Sequence, residues 1–234
     1  MTARIPCRAV FLDAGGVIVL PDRGLLAEAL ARIGVDIDPD AVPRAHYRAV
    51  RTLDRAAPAP RRGDYAEALF PQLGIVFGRT AQALAVWEQL ADHPRSGQVL
   101  WREPTRGATS TIAALGRAGI AVVIVTNSDG HAEENLTACE FGGLSVVDST
   151  LIGAAKPDPR IFEIALARAG EMLGAEVQPG DAVHVGDSLA ADVGGARAAG
   201  ITPIHFDPSR ACRATDHRHV RTLAGIWRHI VAVA

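Results

Sequence analysis

Two acidic residues of the chain, Asp13 and Asp187, each follow a short run of apolar residues. A carboxylate at the tip of a buried strand can be held rigidly against an electrophile and act as a nucleophile, and two such carboxylates can bind one Mg²⁺. A third apolar run ends at Thr126. Its hydroxyl, the backbone N–H groups near Asn127 and the Lys156 ammonium are suitable partners for the spread charge of a phosphoryl group. These residue types are the ones that phosphoryl transfer to an acidic nucleophile requires.

Lys156 is the only lysine in a chain that contains 24 Lys and Arg residues, so the other 23 are arginines. An ammonium is a compact point charge, whereas a guanidinium is a planar fork, so the single lysine fits a site that needs the compact charge. The other segments have simpler readings when each is taken alone. Thr126-Asn127-Ser128 could cap a helix, and Gly15-Gly16 could form a turn.

Strands and helices alternate along most of the chain, which predicts an α/β protein with a doubly wound, Rossmann-like, mostly parallel sheet. In such sheets ligands bind beyond the carboxyl ends of the strands, where Asp13, Thr126 and Asp187 fall. The segment after Asp216 is predicted to be a solvated connection followed by a helix that ends near Val231. The predicted strands are Ala9–Leu12, Ile120–Thr126, Ala182–Val185 and Thr202–Phe206, and the predicted helices are Thr105–Ala118, His131–Ala138, Pro159–Ala169 and Ala190–Ala199.

Residues 21–96 have the spacing of amphipathic helices and are divided by prolines into about four segments. The prediction is therefore an α/β core formed by residues 1–20 and 97–234, with a helical-bundle cap inserted at 21–96. Aromatic residues of this block (Tyr47, Tyr65 and Trp87) could line a pocket or belong to its core. Its arginines (Arg44, Arg48, Arg51 and Arg55, with Arg61-Arg62 beyond) could face a second phosphate or carboxylate of a ligand, or form a solvated helix face.

Four short segments together resemble the haloacid dehalogenase-like superfamily, in its branch with a helical cap after the first strand. They are D-x-x-G-V at Asp13, T-N-S at Thr126, A-K-P-D-P at Lys156 and V-G-D-S-x-x-x-D-V before and after Asp187. The resemblance covers nearly the whole chain and each segment falls at a predicted strand end or helix start. It implies a hydrolase with a cap that closes over the crevice and supplies substrate contacts.

The resemblance also implies a role for each motif residue. Asp13 would form an aspartyl phosphate, and Mg²⁺ would be held by Asp13, the carbonyl of Gly15 and Asp187. Phosphate would be bound by Thr126, Asn127 and Lys156, with Lys156 also catalytic, and Asp192 would orient Lys156 or a metal-bound water. The implied function is that of a Mg²⁺-dependent phosphatase that acts on a small phosphorylated metabolite.

Gly15 departs from the pattern of the phosphatases in this superfamily, which usually have an Asp at this position as general acid and base. Losing such a group costs about 10²- to 10⁴-fold in rate, so turnover is expected to be slow and to favour activated esters. Asp22 could act as a substitute, although an acidic residue after a proline favours a helix N-cap.

The Gly15 departure keeps a second reading open, namely a catalytically silent relative that binds a phosphorylated ligand or a partner protein. Dehalogenation of 2-haloacids is disfavoured, because those enzymes need no Mg²⁺ and usually carry an aromatic residue where Gly15 stands. A phosphonoacetaldehyde hydrolase would need a cap lysine, and the block 21–96 has none.

Composition excludes several classes of function. The formal charge of -2 gives no global attraction to nucleic acid or to anionic membranes, and the apolar runs are too short for a transmembrane segment or a signal peptide. The three cysteines include no C-x-x-C pair, so a reducing cytoplasm is the expected compartment. The histidines form no H-E-x-x-H pattern, and His217 and His219 are expected to be surface residues. Oligomeric state is not predicted.

Overall fold

The computed structural model describes residues 3–55, 64–91 and 99–233. The chain divides into two compact units, one formed by Met1–Ile18 with Pro104–Ala234 and the other by Val19–Glu103. The boundary expected at 96/97 lies outside the described residues. No helix among the described residues combines the length and the apolar character needed to cross a membrane.

A parallel sheet of six strands forms the centre of the first unit, and its strands lie in the order Ser145–Asp148, Ala121–Thr126, Ala9–Leu12, Ala182–Gly186, Thr202–Phe206 and Arg218–Val220. Its middle strands are buried along their whole length, as expected when helices cover both faces of a parallel sheet. The predicted α/β class with a doubly wound parallel sheet is confirmed. The strands are β1 (Ile5–Cys7), β2 (Ala9–Leu12), β3 (Val19–Pro21), β4 (Trp101–Pro104), β5 (Ala121–Thr126), β6 (Ser145–Asp148), β7 (Ala182–Gly186), β8 (Thr202–Phe206), β9 (Arg218–Val220) and β10 (Ile230–Ala232).

Helices follow the strands of the first unit close to their predicted positions, with one change of type. The predicted helix Ala190–Ala199 begins as a π-helical turn, Leu189–Gly194, because the Asp192 and Val193 N–H groups both donate to the Ser188 carbonyl. The α-helices of the chain are α1 (Arg23–Ala31), α2 (Val42–Leu53), α3 (Asp64–Gln72), α4 (Phe77–Ala91), α5 (Ala108–Arg117), α6 (Ala132–Thr137), α7 (Ser149–Ile152), α8 (Arg160–Leu173) and α9 (Gly195–Ala198).

The C-terminal segment corrects the sequence prediction, because no helix ends near Val231. After β9 the chain forms a short 3₁₀-helix, Leu223–Arg228, and then β10, which pairs in parallel with β1. Pairing with β1 gives the last residues backbone hydrogen-bond partners from another strand, which local sequence pattern does not reveal. Strand β6 was also missed.

The second unit packs its described helices, α1 to α4, around a core of its own. The Tyr65 ring lies 5.5 Å from that of Trp87 and 5.4 Å from that of Trp101, so these aromatic residues belong to the core. Arg44, Arg48 and Arg55 are exposed, as a solvated helix face requires, and Arg61-Arg62 lie outside the described residues.

Candidate active site

Parallel pairing places three of the predicted site residues at one edge of the sheet. Leu12 of β2 is in register with Ile124 of β5 and with Val185 of β7, so the residues that follow these positions emerge side by side. The Asp13 N–H donates to the Val185 carbonyl at 2.9 Å, which fixes the chain just after β2. The edge therefore carries Asp13, Thr126 and Asp187.

Lys156 joins two carboxylates at this edge. Its Nζ lies 2.7 Å from Asp13 Oδ1 and 2.7 Å from Asp192 Oδ1, and the lysine side chain is only 2% exposed. Although burial opposes its charge, the two carboxylates hold the pKa of Lys156 above its usual range. Lys156 is therefore a permanent cation beside the candidate nucleophile.

The Asn127 side chain fixes the backbone of Lys156 by two hydrogen bonds. The Lys156 N–H donates to Asn127 Oδ1 at 2.8 Å, and Asn127 Nδ2 donates to the Lys156 carbonyl at 2.9 Å. The Lys156-Pro157 peptide bond is cis. The side chain of Asn127 thus positions Lys156. The donors expected to meet a phosphate are therefore the backbone N–H of Asn127 and the hydroxyl of the buried Thr126.

Asp192 is a buried positioning residue. Its Oδ1 accepts hydrogen bonds from Lys156 and, at 2.8 Å, from His184 Nε2, while its Oδ2 accepts the Ser188 N–H at 3.0 Å. Burial lowers the pKa of His184, which favours the neutral imidazole, and in that form the contact with the Asp192 carboxylate places the ring proton on Nε2. Burial opposes ionisation of Asp192, but Lys156 and His184 outweigh it and hold the pKa of Asp192 below its usual range.

The three carboxylates of the site fit a divalent cation. One ligand atom from each of Asp13, Asp187 and Asp192 lies within 4.8 Å of the others. Burial raises the pKa of Asp13 to about 7, with Lys156 opposing this shift and the other two carboxylates adding to it. When all three carboxylates are ionised, they and the one ammonium leave two excess negative charges, which one divalent cation would balance. Oxygen donors suit Mg²⁺, and both oxygens of Asp192 already accept hydrogen bonds, so Asp13 and Asp187 are the carboxylates that could hold the ion.

Asp22 does not take the role left open by Gly15. Its Oδ1 accepts the Leu25 N–H at 2.9 Å as the N-cap of α1, and its Oδ2 accepts Arg102 Nε at 2.6 Å. These partners outweigh burial and hold the pKa of Asp22 below its usual range. Asp22 is a structural carboxylate of the second unit.

Sequence reasoning missed Asp148 at the end of β6. This buried carboxylate accepts the N–H groups of Gly130, Ala132 and Thr150, so it orders the loop that follows Asn127. Asp148 ends the short run S-V-V-D just as Asp13 ends the run V-F-L-D, so the same sequence pattern could have identified Asp148.

His217 was wrongly predicted to be a surface residue. Its side chain is only 2% exposed, and it packs against the rings of His205 and His219 at centroid distances of 5.3 and 4.4 Å.

Comparisons with known proteins agree with this fold. The family profile of haloacid dehalogenase-like hydrolases matches residues 7–200. The chain is 32% identical over 187 residues to haloacid dehalogenase-like hydrolase domain-containing protein 3 of Bos taurus, covering 72% of this chain and 68% of that protein. It is 36% identical over 112 residues to phosphoserine phosphatase of Thermus thermophilus, covering 47% of this chain and 42% of that enzyme. The magnesium-bound HAD-hydrolase YfnB of Bacillus subtilis has a similar fold, with a TM-score of 0.67, 19% identity, and coverage of 95% of this chain and 98% of that one.

Proposed function

The chain belongs to the haloacid dehalogenase-like hydrolases, and from this membership and its carboxylate–lysine site we propose that it is a Mg²⁺-dependent phosphatase of small phosphorylated metabolites. The observation that carries the proposal is Lys156 Nζ held 2.7 Å from Asp13 Oδ1, with the Asp187 carboxylate beside them. Two similarities support the proposal. Phosphoserine phosphatase matches part of the chain, and a protein of the same fold was solved with magnesium bound.

Asp13 acts as the nucleophile. The Ala14 N–H and the Lys156 ammonium both contact Oδ1 of Asp13, so Oδ2 is the oxygen that attacks phosphorus. The new Asp13 O–P bond forms as the ester O–P bond breaks, and the departing oxygen takes a proton from solvent. Water then attacks phosphorus, which releases inorganic phosphate and restores the carboxylate.

Positive charge and hydrogen-bond donors stabilise the transferred phosphoryl group. The Lys156 ammonium, the Thr126 hydroxyl and the Asn127 N–H meet its oxygens, while Asp192 and the side chain of Asn127 keep Lys156 in place. Mg²⁺, held by Asp13, Asp187 and the Gly15 carbonyl, would supply further charge neutralisation at the phosphate oxygens.

Gly15 determines which esters react fastest. Without a carboxylic acid there, the departing oxygen receives no proton from the protein, so esters whose leaving groups need little protonation are the better substrates. Anomeric, aryl and acyl phosphates belong to this class. A rate that is independent of leaving-group pKa would contradict this part of the proposal.

Gly15 also supports a second candidate function, a catalytically silent protein that binds a phosphorylated ligand or a partner. The two candidates are separated by hydrolysis of p-nitrophenyl phosphate and a panel of sugar phosphates, with and without added Mg²⁺. Phosphatase function predicts Mg²⁺-dependent turnover that Asp13→Asn abolishes and that the exposed control Asp36→Asn leaves unchanged. Absence of turnover on every ester would overturn the phosphatase and favour the silent protein.

A further inference from the structure

The side chains of His205, Cys212, His217 and His219 converge on one point of the first unit. One ligand atom from each lies within 4.8 Å of the other three. His205 of β8 and His219 of β9 are paired in register, so their side chains leave the sheet on the same face. From this cluster we propose a second metal site, a tetrahedral Zn²⁺ centre with three imidazole ligands and one thiolate.

The distances suit zinc. With Zn–S of about 2.3 Å and Zn–N of about 2.1 Å, tetrahedral geometry separates sulfur from nitrogen by about 3.6 Å. Cys212 Sγ lies 3.6 Å from His217 Nε2. The remaining ligand atoms, which lie up to 4.8 Å apart, need only small side-chain rotations to close around an ion.

The nitrogen atoms that would bind the ion are those left over by the hydrogen bonds of the rings. His217 Nδ1 lies 2.8 Å from Asp216 Oδ1, which directs Nε2 toward the thiol. His205 Nε2 lies 3.1 Å from the Asp187 carbonyl, which leaves Nδ1 as the ligand. Metal-binding histidines almost always donate their second ring N–H to a carboxylate or a carbonyl in this way.

Two buried ring nitrogens of the cluster also lack a partner. His205 Nδ1 and His219 Nε2 have no hydrogen-bond partner among the described residues. A buried polar atom without a partner is costly, and an ion bound by both nitrogens would remove that cost.

The loop before His217 is folded so that Cys212 faces the histidines. Asp207, at the end of β8, accepts the N–H groups of Ala211 and Cys212 and the Ser209 hydroxyl. One soft thiolate with three imidazoles selects zinc over magnesium, whereas the Asp13–Asp187 site offers only oxygen. With all four positions filled by protein, the centre is a structural one, and it ties β8, β9 and the loop between them together.

The site is tested on the full chain, purified without a polyhistidine tag and in the presence of reductant. Elemental analysis is expected to give one zinc per chain, and zinc X-ray absorption to show one sulfur at about 2.3 Å with nitrogens at about 2.0 to 2.1 Å. This spectrum needs no variant, so it tests the site even if substitutions prevent folding. Substoichiometric zinc, or a shell of oxygen and nitrogen without sulfur, would overturn the proposal.

Cobalt substitution identifies the ligands. Co²⁺ is expected to give the intense visible bands of a tetrahedral centre and a thiolate charge-transfer band. Cys212→Ala should remove the thiolate band, whereas the control Cys139→Ala should retain it, because Cys139 donates instead to the Asn135 carbonyl. A thiolate band that survives in Cys212→Ala would refute the assignment of this cysteine.

Discussion

Replacing Lys156 by methionine is expected to destabilise the first unit strongly. The change leaves Asp13 and Asp192 facing each other without the ammonium that lies 2.7 Å from both. Removing one partner of a buried ion pair costs about 3 to 5 kcal/mol, because the remaining charge stays buried and uncompensated. A domain of this kind has only about 5 to 15 kcal/mol of stability, so the loss is a large share of the total.

A second substitution separates the ion pair from other effects of the methionine. Asp192→Asn removes one of the facing charges but keeps an oxygen that can accept the His184 N–H. The double variant is therefore expected to be less destabilised than the sum of the single variants, by about 1 to 3 kcal/mol. Lys156→Met combined with Glu171→Gln serves as the control. Glu171 is exposed in the last turn of α8, far along that helix from Lys156, so these two changes should add to within about 0.5 kcal/mol.

Native-state hydrogen exchange of amides in β2 and β7 measures these free energies for the first unit, whatever the second unit does. The buffer should lack magnesium but contain no chelator, so that a metal held by the cysteine–histidine cluster is not removed. A cost below about 1 kcal/mol for Lys156→Met, or full additivity with Asp192→Asn, would refute the view that the ion pair holds the site together.

Two further substitutions test local features of each unit. Gly186→Ala would place a Cβ in the space occupied by the Asp192 side chain, so we expect a loss of about 1 to 3 kcal/mol. Gly116→Ala is the control, since its added Cβ meets no atom within 4 Å other than its chain neighbours and the backbone of its own helix. Thermal unfolding compares the two variants, and an unchanged melting temperature for Gly186→Ala would contradict the overlap. Asp22→Ala removes the N-cap of α1 and should cost about 1 kcal/mol at neutral pH. The pKa of Asp22 is lowered in the folded state, so the stabilisation by its charge is fully present above about pH 4 and is lost as the pH falls through the folded pKa. The cost of Asp22→Ala should therefore be smaller at about pH 3 than at pH 7. An equal cost at both values would refute the role of its charge.

Much of the sheet and the placement of Asp13, Thr126 and Asp187 could be predicted, because each signal is local. A short apolar run identifies a buried strand, and parallel strands present their carboxyl ends at the same edge whatever lies between them in sequence. The partnership of Lys156 with Asp192 came from the family resemblance, and the structure adds the hydrogen bonds that Asn127 and His184 make to them. Those contacts depend on tertiary packing, which local pattern does not encode.

The cysteine–histidine cluster escaped prediction because it depends on strand register. His205 and His219 meet only because β9 pairs with β8 in one register, and a slip of one residue would turn His219 to the opposite face of the sheet. Cys212 reaches them only because the Asp207 carboxylate folds the intervening loop. None of the ligand spacings matches a known zinc motif, and the segment after Asp216 was predicted to be a solvated connection. The structure instead brings His217 and His219 of that segment together with His205 and Cys212. The same strand pairing connects the cluster to the candidate active site, because His205 of β8 also donates a hydrogen bond to the backbone carbonyl of Asp187.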